Sequence, residues 1–206
     1  MTSDWHRYVG AELYHSLGTA ISQWQNVEIG VYHVFHRLTH IPSYLISSAV
    51  FFSPINFKDK LAMTHSAALF ALVGTQYLDK WVTLHRAAKR KNDRRNQIAH
   101  FMSIHSTASD DLQSWLRPNL FDAKAALYWH EKGKMPHYTP SQLRAIATSF
   151  GRLSQKLDNF ASEIADLPPP SPDKSPLSED HPPSGQRNIM PQSPTKSHAP
   201  RESSPG

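Results

Sequence analysis

Apolar residues along most of the chain return every three or four positions, the spacing that lines one face of a helix. From Gly18 to Thr39, Ile21, Trp24, Val31, Phe35 and Leu38 mark such a stripe and predict a first long helix. Glu28 stands in that stripe where another apolar residue belongs. Pro42 ends the helix, and Ser43 can cap a short one reaching Phe52. Ser53-Pro54 reads as the N-terminal turn of a second long helix, from about Asn56 to Leu72, with Phe57, Leu61, Ala68 and Leu72 inward. Gly74 breaks it, and Thr75 can cap a third helix that carries Leu78, Trp81, Leu84, Ala88, Ile98 and Ala99. The clearest element comes last. Thr139-Pro140-Ser141-Gln142 matches a capping box with proline at the first helical position. Leu143, Ile146, Phe150, Leu153, Leu157, Phe160 and Ile164 follow at helical intervals. Between Phe101 and His137 the signals are mixed: Ser106 to Asp111 reads as a loop, and Ala123 to Trp129 fits either a helix or a strand. Trp115, Tyr128 and Trp129 in this stretch are expected in the core rather than as platforms for stacked bases. With no internal repeat and no convincing set of alternating strands, the expected fold is all-α. It is an up-and-down helical bundle of four main helices plus a short helix and an irregular insert.

The pattern stops after Leu167. Beyond it the large aliphatic residues are Leu177, Ile189 and Met190, while eleven of the sixteen prolines lie between Pro168 and Pro205. A segment so poor in apolar surface cannot offset its chain entropy. The 206 residues therefore divide into a helical domain, 1–165, and a disordered Pro/Ser-rich tail, 166–206. The tail holds four Lys/Arg and five acids, leaving 18 basic and 12 acidic residues before it, a balance of about +6. That balance suits an anionic partner, RNA above all, and is also compatible with an ordinary soluble surface.

The absence of cysteine excludes disulfides and thiolate metal sites. Asp4, His6 and Arg7 interrupt any apolar run at the start, so no leader is expected, and Ile46 to Phe52 is too short and too rich in serine to cross a bilayer. A cytoplasmic protein with no membrane association is the expectation. His33, His36 and His40 have helical spacings that can pair imidazoles, but no acid or cysteine accompanies them in sequence, and neither metal nor cofactor is expected.

Chemistry concentrates at the end of the third long helix. Its second half carries Arg86, Lys89, Arg90, Lys91, Arg94 and Arg95, with Asp93 as the one acid. Lys89, Arg90 and Lys91 are candidates for RNA contact, against the plainer reading of a solvated face. Arg95-Asn96-Gln97-Ile98-Ala99-His100 then combines a permanent cation that matches phosphate oxygens with a side chain whose ordinary pKa suits proton transfer. Asn96 and His100, four apart, share a helix face, whereas Arg95 and His100 lie about 140° apart on an ideal helix. The alternative is that Arg95 and His100 simply complement the helix dipole at its C-terminus.

This segment resembles the R-x4-6-H motif of the HEPN superfamily, in the form R-N-x-x-A-H at the end of a long helix. Trp24-x-x-x-Glu28 on a first helix, a short apolar stretch before the second helix and a terminal amphipathic helix are similar to that family's layout over roughly 150 residues. The resemblance implies a homodimer in which two motifs meet. It also implies a metal-independent endoribonuclease, toxin or defence-like, with a possible antitoxin partner, or else a non-catalytic module binding nucleotide, RNA or protein. Carried over by position, Arg95, Asn96 and His100 are the catalytic candidates. Glu28 and Arg94 are candidates for support, Arg94 through an alternative R-x5-H register. Glu28 is equally read as a structural partner of an internal His or Arg, such as His85. A third reading is a structural dimer whose Pro-rich tail recruits a partner.

Overall fold

Helix formation follows the apolar stripe but reaches beyond it. The computed structural model describes residues 5–106, 113–118 and 137–169. Helix α1 is Trp5–Thr39, well longer than the predicted span, because Leu13 and Ser16 continue its buried face ahead of Gly18, a lone leucine and a serine giving too sparse an apolar signal to read as a stripe. Helix α2 is Tyr44–Phe52, and the Ser43 hydroxyl accepts from the Ile46 N–H as anticipated. Helix α3 is Phe57–Ala71. Its cap is Asn56, whose side-chain oxygen accepts from the Asp59 N–H at 2.9 Å, and not Ser53-Pro54, since Ser53 closes α2. Gly74 turns the chain with φ +74, a conformation that L side chains resist. Helix α4, Tyr77–His100, starts after Gln76, and Thr75 serves it by accepting from the Tyr77 N–H at 3.3 Å.

The irregular insert after α4 opens with a small sheet. Phe101 turns into extended backbone, and strands β1, Phe101–Ser106, and β2, Gln113–Pro118, form an antiparallel hairpin. Phe101 faces Pro118 at one end and Ser106 faces Gln113 at the other. Strands so short, with serines and histidine among the apolar residues, give little alternation to read. Leu116 also exchanges backbone hydrogen bonds of 2.9 Å in both directions with Tyr138, immediately ahead of the last helix. That helix, α5, is Pro140–Glu163, and the capping box forms in full between Thr139 and Gln142. Trp115 is half-buried on β2. The stretches 107–112 and 119–136, with Tyr128 and Trp129, lie outside the described residues, as does the expected tail beyond position 169. Residues Met1–Pro170 group as one unit by their contacts.

The all-α bundle is built chiefly on the packing of α1 against α5. Glu12 pairs with Arg144, Gly30 approaches Leu157 and His33 meets Asp158, so the two helices run in the same direction. Helix α4 runs against them: Lys80 meets Glu163 at one end and Arg94 meets Tyr138 at the other. Trp24 fills the centre, edge-on to Phe57 and Phe150 at 4.7 and 5.2 Å, and Trp81 lies against Phe160. Aromatic pairs of this kind add about 0.5–1.5 kcal/mol each beyond their burial. Helix α2 is less well covered. Leu45 is 80% exposed, Ile46 59% and the following Ile55 99%, with Tyr44, Val50 and Phe52 beside them. Among the described residues no helix is long and apolar enough to cross a membrane.

Candidate functional site

Arg95 occupies an unusual position for a cation. At about 100° per residue it falls about 40° from Trp81 and about 60° from Ile98, so it sits on the stripe of α4 that those two side chains bury. Its Nε is shut off from solvent and has no hydrogen-bond partner among the described residues. The other edge of the guanidinium donates through Nη1 to the Asn96 side-chain oxygen at 3.1 Å. A buried donor left unmatched is costly, which makes this nitrogen a place where an acceptor is wanted. His100 is the last residue of α4 and is exposed, as Cβ directions about 140° from Arg95 require. The structure thus joins Arg95 to Asn96 directly, and presents His100 to solvent at the same helix end.

Arg94 goes elsewhere. Its Nη1 donates to the Tyr138 hydroxyl at 2.5 Å, and that hydroxyl donates onward to the Gln97 side-chain oxygen at 2.7 Å. Its guanidinium carbon also lies 5.4 Å from the Tyr138 ring centre. Tyr138, unnoticed in the sequence, therefore ties α4, β2 and the start of α5 together.

Glu28 is paired, though not with His85. Lys60 of α3 donates to its Oε1 at 2.5 Å, with side chains 8% exposed for the lysine and 22% for the glutamate. The lysine also lies 5.0 Å from the Phe52 ring centre. This pairing explains how an acid is tolerated in the apolar stripe of α1. His85 instead stacks on His65 at 4.1 Å, and His65 accepts from the Trp81 indole N–H. Burial, then the nearby His65, Lys89 and Arg86, hold the His85 pKa below its usual value. The helical histidines of α1 are similarly engaged: His33 with Asp158 at 2.9 Å, and His36 with Ser47 at 2.8 Å.

The basic run does not act as a block. Consecutive residues on a helix point about 100° apart. Lys91 turns into the seam between α4 and α5, where it donates to Ser149 and lies 6.0 Å from the Phe150 ring centre. Arg90 lies at the rim of that seam and Lys89 is exposed outside it. Burial, then the charges of Arg90 and Lys156, hold the Lys91 ammonium below its ordinary pKa. Comparison with protein-family models, with curated proteins and with solved structures finds no match to this chain.

Proposed function

We propose that this chain is a metal-independent endoribonuclease of HEPN type, toxin or defence-like, that works as a homodimer in the cytoplasm. The observation that carries the reading is the end of α4: an inward guanidinium with one N–H unmatched among the described residues, braced by Asn96, on the same helix end as a solvent-facing imidazole about 140° around the axis. Arg95 supplies donors for a phosphate, and Asn96 holds its fork in position. His100 moves protons. In the reaction the RNA 2′-oxygen bonds to phosphorus as its proton passes to a base, and the P–O5′ bond breaks as the leaving oxygen takes a proton from an acid. The products are a 2′,3′-cyclic phosphate and a 5′-hydroxyl. Two imidazoles would divide these roles between subunits, and the exposed apolar side chains of α2 support a second copy as partner.

Expression of the wild type should arrest growth, with relief by His100→Ala and by antitoxin where one exists. Equal RNA cleavage by purified wild type and His100→Ala would eliminate the assignment. The second reading, a non-catalytic module that binds RNA or nucleotide, is favoured by the cationic seam between α4 and α5, which lies off the motif.

A further inference from the structure

Two cavities meet along the seam between α4 and α5. One of about 360 Å³ is lined by Ala87, Arg90, Lys91, Arg94, Ile146 and Ser149 among others. The next, about 250 Å³, shares Ala87, Lys91 and Ser149 and adds Arg152 and Lys156. The cleft extends along α4 from Thr83 to Arg94, about 16 Å at 1.5 Å per residue. Five cations line it and no carboxylate does. The ion pairs among the described residues join Lys60, Lys80, Arg144 and His33 to acids, and none draws on a cation of the cleft. Five positive charges gathered with no carboxylate among the described residues that line the cleft repel one another; burial first, then the charges of Arg90 and Lys156, holds the Lys91 ammonium below its ordinary pKa. An anion in the cleft would relieve that repulsion. Arg152 and Lys156, four apart on α5, present their charges along one helical row, as a chain of phosphates would require.

We infer that the α4–α5 cleft, through Arg90, Lys91, Arg94, Arg152 and Lys156, binds the phosphate backbone of single-stranded RNA at a site separate from the Arg95–His100 motif. The separation is angular: on α4, Arg94 and His100 point about 120° apart. The cleft grips the strand by charge, while Ala87 and Ile146 line its walls without reading bases. Base identity is therefore left to other contacts. The choice of RNA as the strand rests on the nuclease reading; the anionic character of the ligand does not.

The test uses the full chain as His100→Ala, to prevent turnover, with a fluorescent single-stranded RNA followed by anisotropy over a salt series. A single-strand contact contributes about 0.7 to the logarithmic salt slope, so each is worth about fivefold in Kd near 0.1 M salt. Arg152→Gln/Lys156→Gln should weaken binding by about 25-fold and lower the slope by about 1.4. Both residues are exposed on α5, and unchanged melting would show the fold is intact. Arg37→Gln/Lys58→Gln removes the same charge from exposed positions elsewhere and should leave Kd within about twofold. Unchanged affinity in the cleft variant, or an equal loss in both variants, would overturn the assignment. Displacement of RNA by tripolyphosphate at equal phosphate concentration would identify a small-anion site and also overturn it. Failure of the nuclease reading looks different: His100→Ala would cleave RNA like the wild type while the cleft variants still lost binding.

Discussion

Three glycines in the two longest-packed helices offer a graded test of how tightly α1 and α5 meet. Replacing a helical glycine by alanine is intrinsically favourable by about 1 kcal/mol. What the new methyl meets decides the remainder. At Gly18 nothing lies within 4 Å, so Gly18→Ala should gain close to the full amount. At Gly151 a Cβ would lie 2.8 Å from Gln23 Oε1, the far end of a side chain free to move, so the variant should still gain about half of it. At Gly30 the Cβ would lie 2.9 Å from Leu157 Cβ and 3.5 Å from the Ser154 carbonyl oxygen. Neither can yield without moving α5 itself. Overpacking of this kind costs about 1–3 kcal/mol, which cancels the intrinsic gain or outweighs it and leaves Gly30→Ala destabilised by up to about 2 kcal/mol. Urea unfolding of the three variants, followed by helical circular dichroism, measures the order directly. A Gly30→Ala midpoint raised as far as that of Gly18→Ala would refute the close approach of the two helices.

Two further outcomes follow from the buried polar groups. Lys60→Ala should cost roughly 2–4 kcal/mol, somewhat under the usual loss for breaking a buried ion pair because Glu28 retains some solvent. Lys60→Met with Glu28→Leu should lose much less, and a double variant no more stable than the single would contradict the pairing argument. Because the His85 pKa is depressed in the fold, the unfolded chain binds its proton first, and stability declines as pH falls below about 6.5. His36, depressed by burial and then by Arg37 and His33, acts in the same direction. His85→Gln should shallow the acid slope of the melting temperature; parallel slopes for variant and wild type would exclude this contribution.

Local signals were legible where they are self-contained. The capping box at Thr139, the Ser43 cap and the stripe from Leu143 to Ile164 each occupy one turn or one face, and all form as read. Partners distant in sequence were not legible. Nothing near Glu28 announces Lys60, thirty-two positions on, because the pairing exists only once α3 packs on α1. The motif residues were picked out by type and spacing, but the inward turn of Arg95 required knowing which stripe of α4 is buried. The cleft was half visible: its α4 cations stand in an obvious run, whereas Arg152 and Lys156 are dispersed among the polar positions of α5. Spacing alone groups Lys89 with Arg90 and Lys91, whereas neighbours on a helix diverge and Lys89 does not line the cleft. The hairpin escaped notice because six-residue strands mixing apolar and polar residues offer no period long enough to distinguish from loop.

The backbone bridge between Leu116 and Tyr138 has a consequence for the end of α4. Strand β1 continues directly from His100 and pairs with β2, and β2 is tied in turn to the residue just ahead of the Thr139 cap of α5. Moving His100 would mean moving the hairpin and the start of α5 with it, so this solvent-facing imidazole stands on a braced support rather than on a fraying helix end.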